Sequence, residues 1–229
     1  MNDNPKIKII FFDVGGVLLF KKHHPIEVIA EHFGINLDRA NHAQTEKNND
    51  PELGKAWNAM RTVEDQYTYG LLSARRFLEI AGLSVTDENI TFIADCWNKS
   101  THSLMPGAKE IIEYLSPKYR LGIISNAMPS RKGDELTNHG LLGHFDPIVI
   151  SRELGVEKPH PEIYQAALEL AGVDASEAAF VDDWPQALQG AQTAGFGKTF
   201  FMDFPRGNWD EDVSGSVKIE GLLDLKKYL

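Results

Sequence analysis

Apolar positions along the chain fall into two rhythms. The first is a set of short continuous runs: "KIKIIFFD" at residues 6–13, "YRLGIIS" at 119–125, "DPIVIS" at 146–151, "AAFVDD" at 178–183 and "KTFFMDF" at 198–204. Runs of this length with no polar alternation predict strands buried on both faces. Between them lie "GAKEIIEYLSP", "PEIYQAALELAG" and "PQALQGAQTAG", whose apolar residues recur every three or four positions, the period of a helix with one buried stripe. Pro161 suits the first turn of its helix, where a missing N–H costs nothing, and Gly172 and Gly195 suit helix exits. Strand alternating with helix over short connections predicts an α/β fold, a Rossmann-like parallel sheet with helices on both faces.

The second rhythm fills the stretch after the first strand. From "HPIEVIAEHFGI" through "AWNAMRTVEDQYTYG" and "SARRFLEIAGL" to "NITFIADCWNKS" the spacing is three and four, which predicts a helical insert. Within it "NHAQTEKNNDPELGK", residues 41–55, is polar enough to read as a loop. The expected organisation is a core of residues 1–20 and 101–229 with a helical domain of residues 21–100. The C-terminal residues 203–229 read as a polar loop and a final short helix.

Composition narrows the functional classes. A formal charge of −10 over 229 residues argues against nucleic acid as a partner, since that needs a basic face. A small anionic substrate stays compatible, because one cation and one lysine in a pocket override the mean charge. No uninterrupted apolar stretch reaches the length of a bilayer span. The N-terminus lacks the pattern of a signal peptide. The single cysteine, Cys96, can form no internal disulfide and reads as a small core residue of a helix. The expectation is a cytoplasmic protein with no membrane partner; its oligomeric state is not legible.

In open parallel sheets ligands bind beyond the carboxyl ends of the strands, near the point where strand order reverses. Asp13 ends the first strand, Ser125 and Asn126 the next, Lys158 lies in the connection after "DPIVIS", and Asp182 and Asp183 end "AAFV". Carboxylates, a hydroxyl, an amide and a lysine are thereby expected at one cleft. Hard carboxylate oxygens suit Mg²⁺, which takes a few protein ligands together with substrate phosphate and water. The hydroxyl, turn N–H groups and the lysine suit phosphoryl oxygens. Each residue alone has an ordinary structural explanation: a cap, a turn, a solvated lysine. Their occurrence together at successive strand ends favours chemistry.

In order and spacing, "FFDVGGVLL", "IISNA", "EKPHPEIY" and "FVDDWPQA" resemble the four motifs of the haloacid dehalogenase-like hydrolase superfamily. The helical insert resembles the C1-type cap of its subfamily I. The resemblance implies a Mg²⁺-dependent phosphatase acting on a small phosphorylated metabolite, a sugar phosphate for example, through a phosphoaspartyl intermediate. It makes Asp13 the nucleophile and a metal ligand, and Gly15 a metal ligand through its backbone carbonyl. Ser125 and Asn126 become phosphate-binding. Lys158 becomes a catalytic and phosphate-binding cation. Asp183 becomes the further metal-binding acid, with Asp182 orienting it or serving as the alternate ligand.

The resemblance breaks at two positions. Phosphatases of the family carry a second aspartate two residues after the nucleophile, as acid and base; here that position is Gly15. The acid or amide usual four residues after Asp183 is Ala187. A phosphatase for good leaving groups, a substitute acid from His23, His24 or Glu27, and a catalytically impaired binding protein all accommodate Gly15. So does a 2-haloacid dehalogenase-type hydrolase, which lacks that aspartate too. A Schiff-base phosphonate hydrolase would need an insert lysine, with Lys21, Lys22 and Lys55 as candidates. Trp57, Arg61, Tyr67, Tyr69, Arg75 and Arg76 are insert residues of a type that selects substrates.

Overall fold

The computed structural model describes residues 6–21, 25–98, 102–126, 134–203 and 213–229. In chain order come β1 (Ile9–Phe12), β2 (Leu19–Lys21), α1 (Pro25–Phe33), α2 (Leu37–Asn48), α3 (Pro51–Ala59), α4 (Val63–Ala81) and α5 (Asp87–Asn98). Then follow β3 (His102–Leu104), α6 (Ala108–Leu115), β4 (Arg120–Ser125), α7 (Asp134–Asn138), β5 (Phe145–Ile150), α8 (Ser151–Leu154) and α9 (Pro161–Ala171). The chain finishes with β6 (Ala178–Asp182), α10 (Pro185–Thr193), β7 (Lys198–Met202), β8 (Val217–Ile219) and a 3-10 turn at Leu222–Lys227. It divides into two compact units, Met1–Phe20 with Ser103–Leu229, and Lys21–His102.

The first unit is built on a six-stranded sheet of order β5-β4-β1-β6-β7-β8, with parallel pairing from β5 across to β8. β1 is central, and the chain leaves it on one side through β4 and returns on the other through β6. That reversal is the switch point at which such sheets bind ligands. The continuous apolar runs are explained by burial on both faces. Ile10 and Phe12 pack with Ile111, Ile112 and Leu115 of α6, whereas Ile9 and Phe11 pack with Ile163 and Tyr164 of α9 and Leu188 of α10. Tyr164 carries its hydroxyl into this second layer and donates it to the Ala187 carbonyl at 2.6 Å, as a buried phenol requires.

The C-terminal stretch departs from the sequence expectation. Beyond residues 204–212, which lie outside those described, Val217–Ile219 adds β8 to the sheet edge instead of continuing a loop. The strand is short, and its apolar alternation is too brief to register as a period. Gln192 of α10 fastens the turn before it, with Nε2 donating to the Ser214 carbonyl and the Ser216 hydroxyl, each at 3.0 Å. Outside the six-stranded sheet, β2 and β3 pair in a sheet of two.

The second unit is helical around Ile26, Ile29, Ala40, Ala43, Ala74, Phe77, Leu78, Ile90 and Ile93. Residues 41–55, expected as a loop, are two helices with a break at Asn49 and Asp50. Their starts are fixed chemically. The Asn36 side chain accepts from Arg39 N–H, and Asp50 accepts from the N–H groups of Glu52 and Leu53 with Pro51 in the first turn. The buried stripe of α2 is Ala40, Ala43 and Lys47, so its polar composition conceals a narrow face that a lysine stem completes. Lys47 Nζ donates to the Ser73 hydroxyl at 3.0 Å and lies 4.5 Å from the Trp97 ring. Arg39 bonds the Ala81 carbonyl through Nε at 2.8 Å and through Nη2, satisfying a carbonyl at the end of α4.

Candidate active site

Asp13 follows directly on β1. Its N–H still donates to the Val181 carbonyl at 2.9 Å, which carries the β1–β6 register one residue past the strand. Its side chain and that of Asp182 therefore leave neighbouring strands at one level. Lys158, from the connection between α8 and α9, inserts its ammonium between them, with Nζ 2.9 Å from Asp13 Oδ1 and 2.6 Å from Asp182 Oδ2. The other oxygen of Asp182 accepts the Trp184 N–H at 2.8 Å, so that carboxylate is held at both ends. Lys158 is 2 % exposed and lies 5.3 Å from the Phe180 ring.

Asp183 completes the group: Asp13, Asp182 and Asp183 each place a carboxylate oxygen within 4.8 Å of the others. Its approach depends on Gly16, which adopts φ +87° in the turn after Asp13. A Cβ built on Gly16 would stand 2.0 Å from Asp183 Oδ2. Both the left-handed backbone and the contact exclude a side chain there. Gly16 is a functional residue that no catalytic motif position marks; the Gly15–Gly16 pair, separated from Asp13 only by Val14, is its signal in the sequence.

Three carboxylates face one ammonium, and the ionisation of the group records it. Burial raises the Asp183 carboxyl to about 8, with the charges of Asp182 and Asp13 adding to the shift. Asp182 is raised to about 6 by burial and the Asp13 charge, against the pull of Lys158. Burial alone would lower the Lys158 ammonium, but the charges of Asp13 and Asp182 outweigh it and hold it above the ordinary lysine value. The group holds more negative charge than its own lysine balances, on hard carboxylate oxygens gathered within 4.8 Å of one another. That donor set fits a divalent cation of the Mg²⁺ type.

Ser125 is 3 % exposed at the end of β4, which neighbours β1. Asn126 directs its amide to the backbone of Lys158, accepting its N–H at 2.8 Å and donating to its carbonyl at 3.0 Å. In the turn after Asp13, Val14 accepts from the Leu18 and Leu19 N–H groups and Gly16 donates to the Leu19 carbonyl. These bonds leave the Gly15 carbonyl without a hydrogen bond among the described residues, available as a ligand.

Lys22, His23 and His24 lie outside the described residues, and Glu27 is exposed on α1. Lys55 is exposed and pairs with Glu52 at 2.7 Å. Trp57 packs edge-on to Tyr69, Arg61 bonds the carbonyls of Asn58 and Met60, and Arg76 pairs with Asp50 and Glu79. Tyr67 and Arg75 are exposed. Ala187 is fully buried in α10 and contributes only its carbonyl, to Tyr164. Cys96 is half-buried on α5, and burial raises its thiol further out of the reactive range.

Comparison with known proteins places these features in a wider context. The haloacid dehalogenase-like hydrolase family matches residues 7–195. The phosphoserine phosphatase of Thermus thermophilus is 40% identical over 106 residues, 46% of this chain and 42% of that protein. The chain covers about a third to just over half of the length of the curated relatives it matches. Among solved structures, magnesium-bound YfnB of Bacillus subtilis superposes with a TM-score of 0.70 at 20% identity, covering 98% of this chain and 99% of the other. The 2-haloacid dehalogenase of Pseudomonas syringae superposes with a TM-score of 0.65 at 22% identity, over 96% and 97% of the two chains.

Proposed function

The chain belongs to the haloacid dehalogenase-like hydrolases, and from that premise we propose that it is a Mg²⁺-dependent phosphatase of small phosphorylated metabolites, working through a phosphoaspartyl intermediate. The observation that carries this reading is the convergence of Asp13, Asp182 and Asp183, within 4.8 Å of one another, on one buried lysine. Such a group gains by holding a divalent cation and a phosphoryl group together, and its excess of carboxylate has no other evident use. Asp13, Asp183 and the Gly15 carbonyl would hold Mg²⁺, with Asp182 orienting Lys158. Bound there, Mg²⁺ supplies charge neutralisation for the carboxylates and the phosphoryl oxygens.

In this reading a carboxylate oxygen of Asp13 attacks phosphorus and the bond to the leaving-group oxygen breaks, with its electron pair staying on that oxygen. Water then attacks the phosphoaspartyl phosphorus, inorganic phosphate departs, and the Asp13 carboxylate is regenerated. Lys158 orients Asp13 through Oδ1 and offsets phosphoryl charge, and the Ser125 hydroxyl donates to a phosphoryl oxygen. With Gly15 in place of an acid, the leaving oxygen takes its proton from solvent, which favours substrates with good leaving groups such as sugar 1-phosphates or acyl phosphates. The helical unit is assigned as the C1-type cap of subfamily I, with the core formed by residues 1–20 and 101–229. The protein is assigned to the cytoplasm, without nucleic-acid or membrane partners; among the described residues no helix is long and apolar enough to cross a membrane.

Two other readings accommodate Gly15, a 2-haloacid dehalogenase-type hydrolase and a catalytically impaired binding protein. A halocarboxylate would add another negative charge beside three acids, which disfavours the first. Incubation of the protein with Mg²⁺ and a panel of phosphorylated metabolites separates the three. Phosphate release that vanishes with Asp13→Asn supports the phosphatase, release untouched by that change rejects Asp13 as nucleophile, and halide release from 2-haloacids without metal establishes the dehalogenase. Stoichiometric ligand binding without turnover establishes the binding protein.

A further inference from the structure

The two hydrogen bonds of Asn126 go to a single residue. Oδ1 accepts the Lys158 N–H at 2.8 Å and Nδ2 donates to the Lys158 carbonyl at 3.0 Å. Residues facing each other in an antiparallel ladder exchange the same pair of bonds. Here one partner is a side chain at the end of β4 and the other is backbone in the connection between α8 and α9. The next residue, Pro159, has no N–H to add. The local turn bond, from His160 N–H to the Glu157 carbonyl at 3.0 Å, passes over Lys158 without engaging it. Among the described residues, Asn126 is the sole partner of both backbone polar groups of Lys158.

A lysine stem has four carbons and many rotamers, so its ammonium is only as well placed as its backbone. Lys158 must reach two carboxylates at once, at 2.9 Å and 2.6 Å. We propose that Asn126 is a positioning residue for Lys158, its amide clamping the lysine main chain so that the ammonium stands between Asp13 and Asp182. This role differs from direct phosphate binding. The amide spends one donor and one acceptor on Lys158, and its effect on chemistry passes through the ammonium. The catalytic part of the inference rests on the phosphatase reading; the structural part does not.

A double-variant cycle tests it. Asn126→Ala lowers kcat by about 10²-fold, the scale of a misplaced catalytic group, with KM little changed. In a chain already carrying Lys158→Met, adding Asn126→Ala costs no further activity, because the group it positions is gone. Its effect on stability persists in that background, because the clamp grips main chain. Multiplying losses of kcat, or a KM effect as large as the kcat effect, would show Asn126 to be an independent phosphate ligand and overturn the proposal. A crystal structure of the Asn126→Ala variant decides the structural part without any substrate. Lys158 Nζ drawn away from Asp13 or Asp182 supports it, and an unmoved ammonium overturns it. Absence of phosphate release by the unaltered protein would sink the phosphatase reading while leaving this structural arm decisive. If Asn126→Ala does not fold, Asn126→Ser carries the same comparison.

Discussion

The Asp183 carboxylate occupies the position where Gly16 would carry a side chain, 2.0 Å from an ideal Cβ. Gly16→Ala therefore meets two obstacles. Its φ of +87° costs an L residue about 1–2 kcal/mol, and the methyl must push the carboxylate aside. The expected result is a lower melting temperature together with weaker Mg²⁺ binding by calorimetry. A variant that loses stability but keeps its Mg²⁺ affinity would remove Asp183 from the ligand set.

Lys158 is the cation that its three acidic neighbours share. Lys158→Met should destabilise the fold by about 3–5 kcal/mol, because buried carboxylates lose their partner. Adding Asp182→Asn should recover part of that loss. Denaturant unfolding of the single and double variants measures both, and a double variant less stable than the single one counts against the pairing.

Metal binding should respond to pH in a defined direction. Burial and its neighbours raise the Asp183 carboxyl to about 8, so below that value a proton competes with the cation. Mg²⁺ affinity is expected to climb as pH rises toward about 8, with proton release on binding below it. For the metal-free protein the linkage has the opposite sense. A carboxyl raised in the folded state contributes stability that is fully present below 3.8 and is lost as pH rises toward about 8. Saturating Mg²⁺ should restore about 2.7 kcal/mol at a hundredfold excess over Kd. Calorimetry in buffers of different ionisation enthalpy and melting curves across this range test both signs.

Gly15 makes a kinetic prediction. Without a fixed acid, rates across a series of phosphomonoesters should fall steeply as the leaving-group pKa rises. Gly15→Asp should raise the rate for poor leaving groups by up to about 10²–10⁴-fold and flatten the series. A series already flat in the unaltered protein would instead place a substitute acid in the site.

Lys47 tests the helical unit independently of catalysis. Burial lowers its ammonium from 10.5 to about 8, so between these values the unfolded chain binds the extra proton and stability rises with pH. The shift corresponds to about 3 kcal/mol at neutral pH. Lys47→Met, which keeps the apolar stem, should therefore stabilise the protein near neutrality and abolish the rise above pH 8, as read by denaturant midpoints.

How far the sequence leads depends on which physical signal each part carries. β1, β4, β6 and β7 are legible because burial on both faces leaves unbroken apolar runs, and α6, α9 and α10 because their stripes are wide. α2 is not, because its buried face is two alanines and a lysine stem; its capping residue Asn36 is the better signal, as Asp50 is for α3. β8 is hidden by its three-residue length. In the site, strand ends point to Asp13, Asp182, Asp183 and Lys158 as a set. No linear pattern reveals that Lys158 contacts Asp182 rather than Asp183, that Asn126 turns toward backbone, or that Gly16 leaves room for a carboxylate. Those are consequences of register and close approach.

β1 precedes both of its sheet partners in the chain and lies between them, yet they come late: Ile9 pairs with Arg120 on one side and Ala178 on the other. During synthesis the segment Ile9–Phe12, apolar throughout, waits for β4 on one edge and keeps the other edge unpaired until Ala178 and the rest of β6 have emerged. The ribosome thus presents a sticky edge for much of the time the protein takes to be born. Chains cut short before Ala178 are accordingly expected to aggregate or to need a chaperone, whatever the state of the helices already formed.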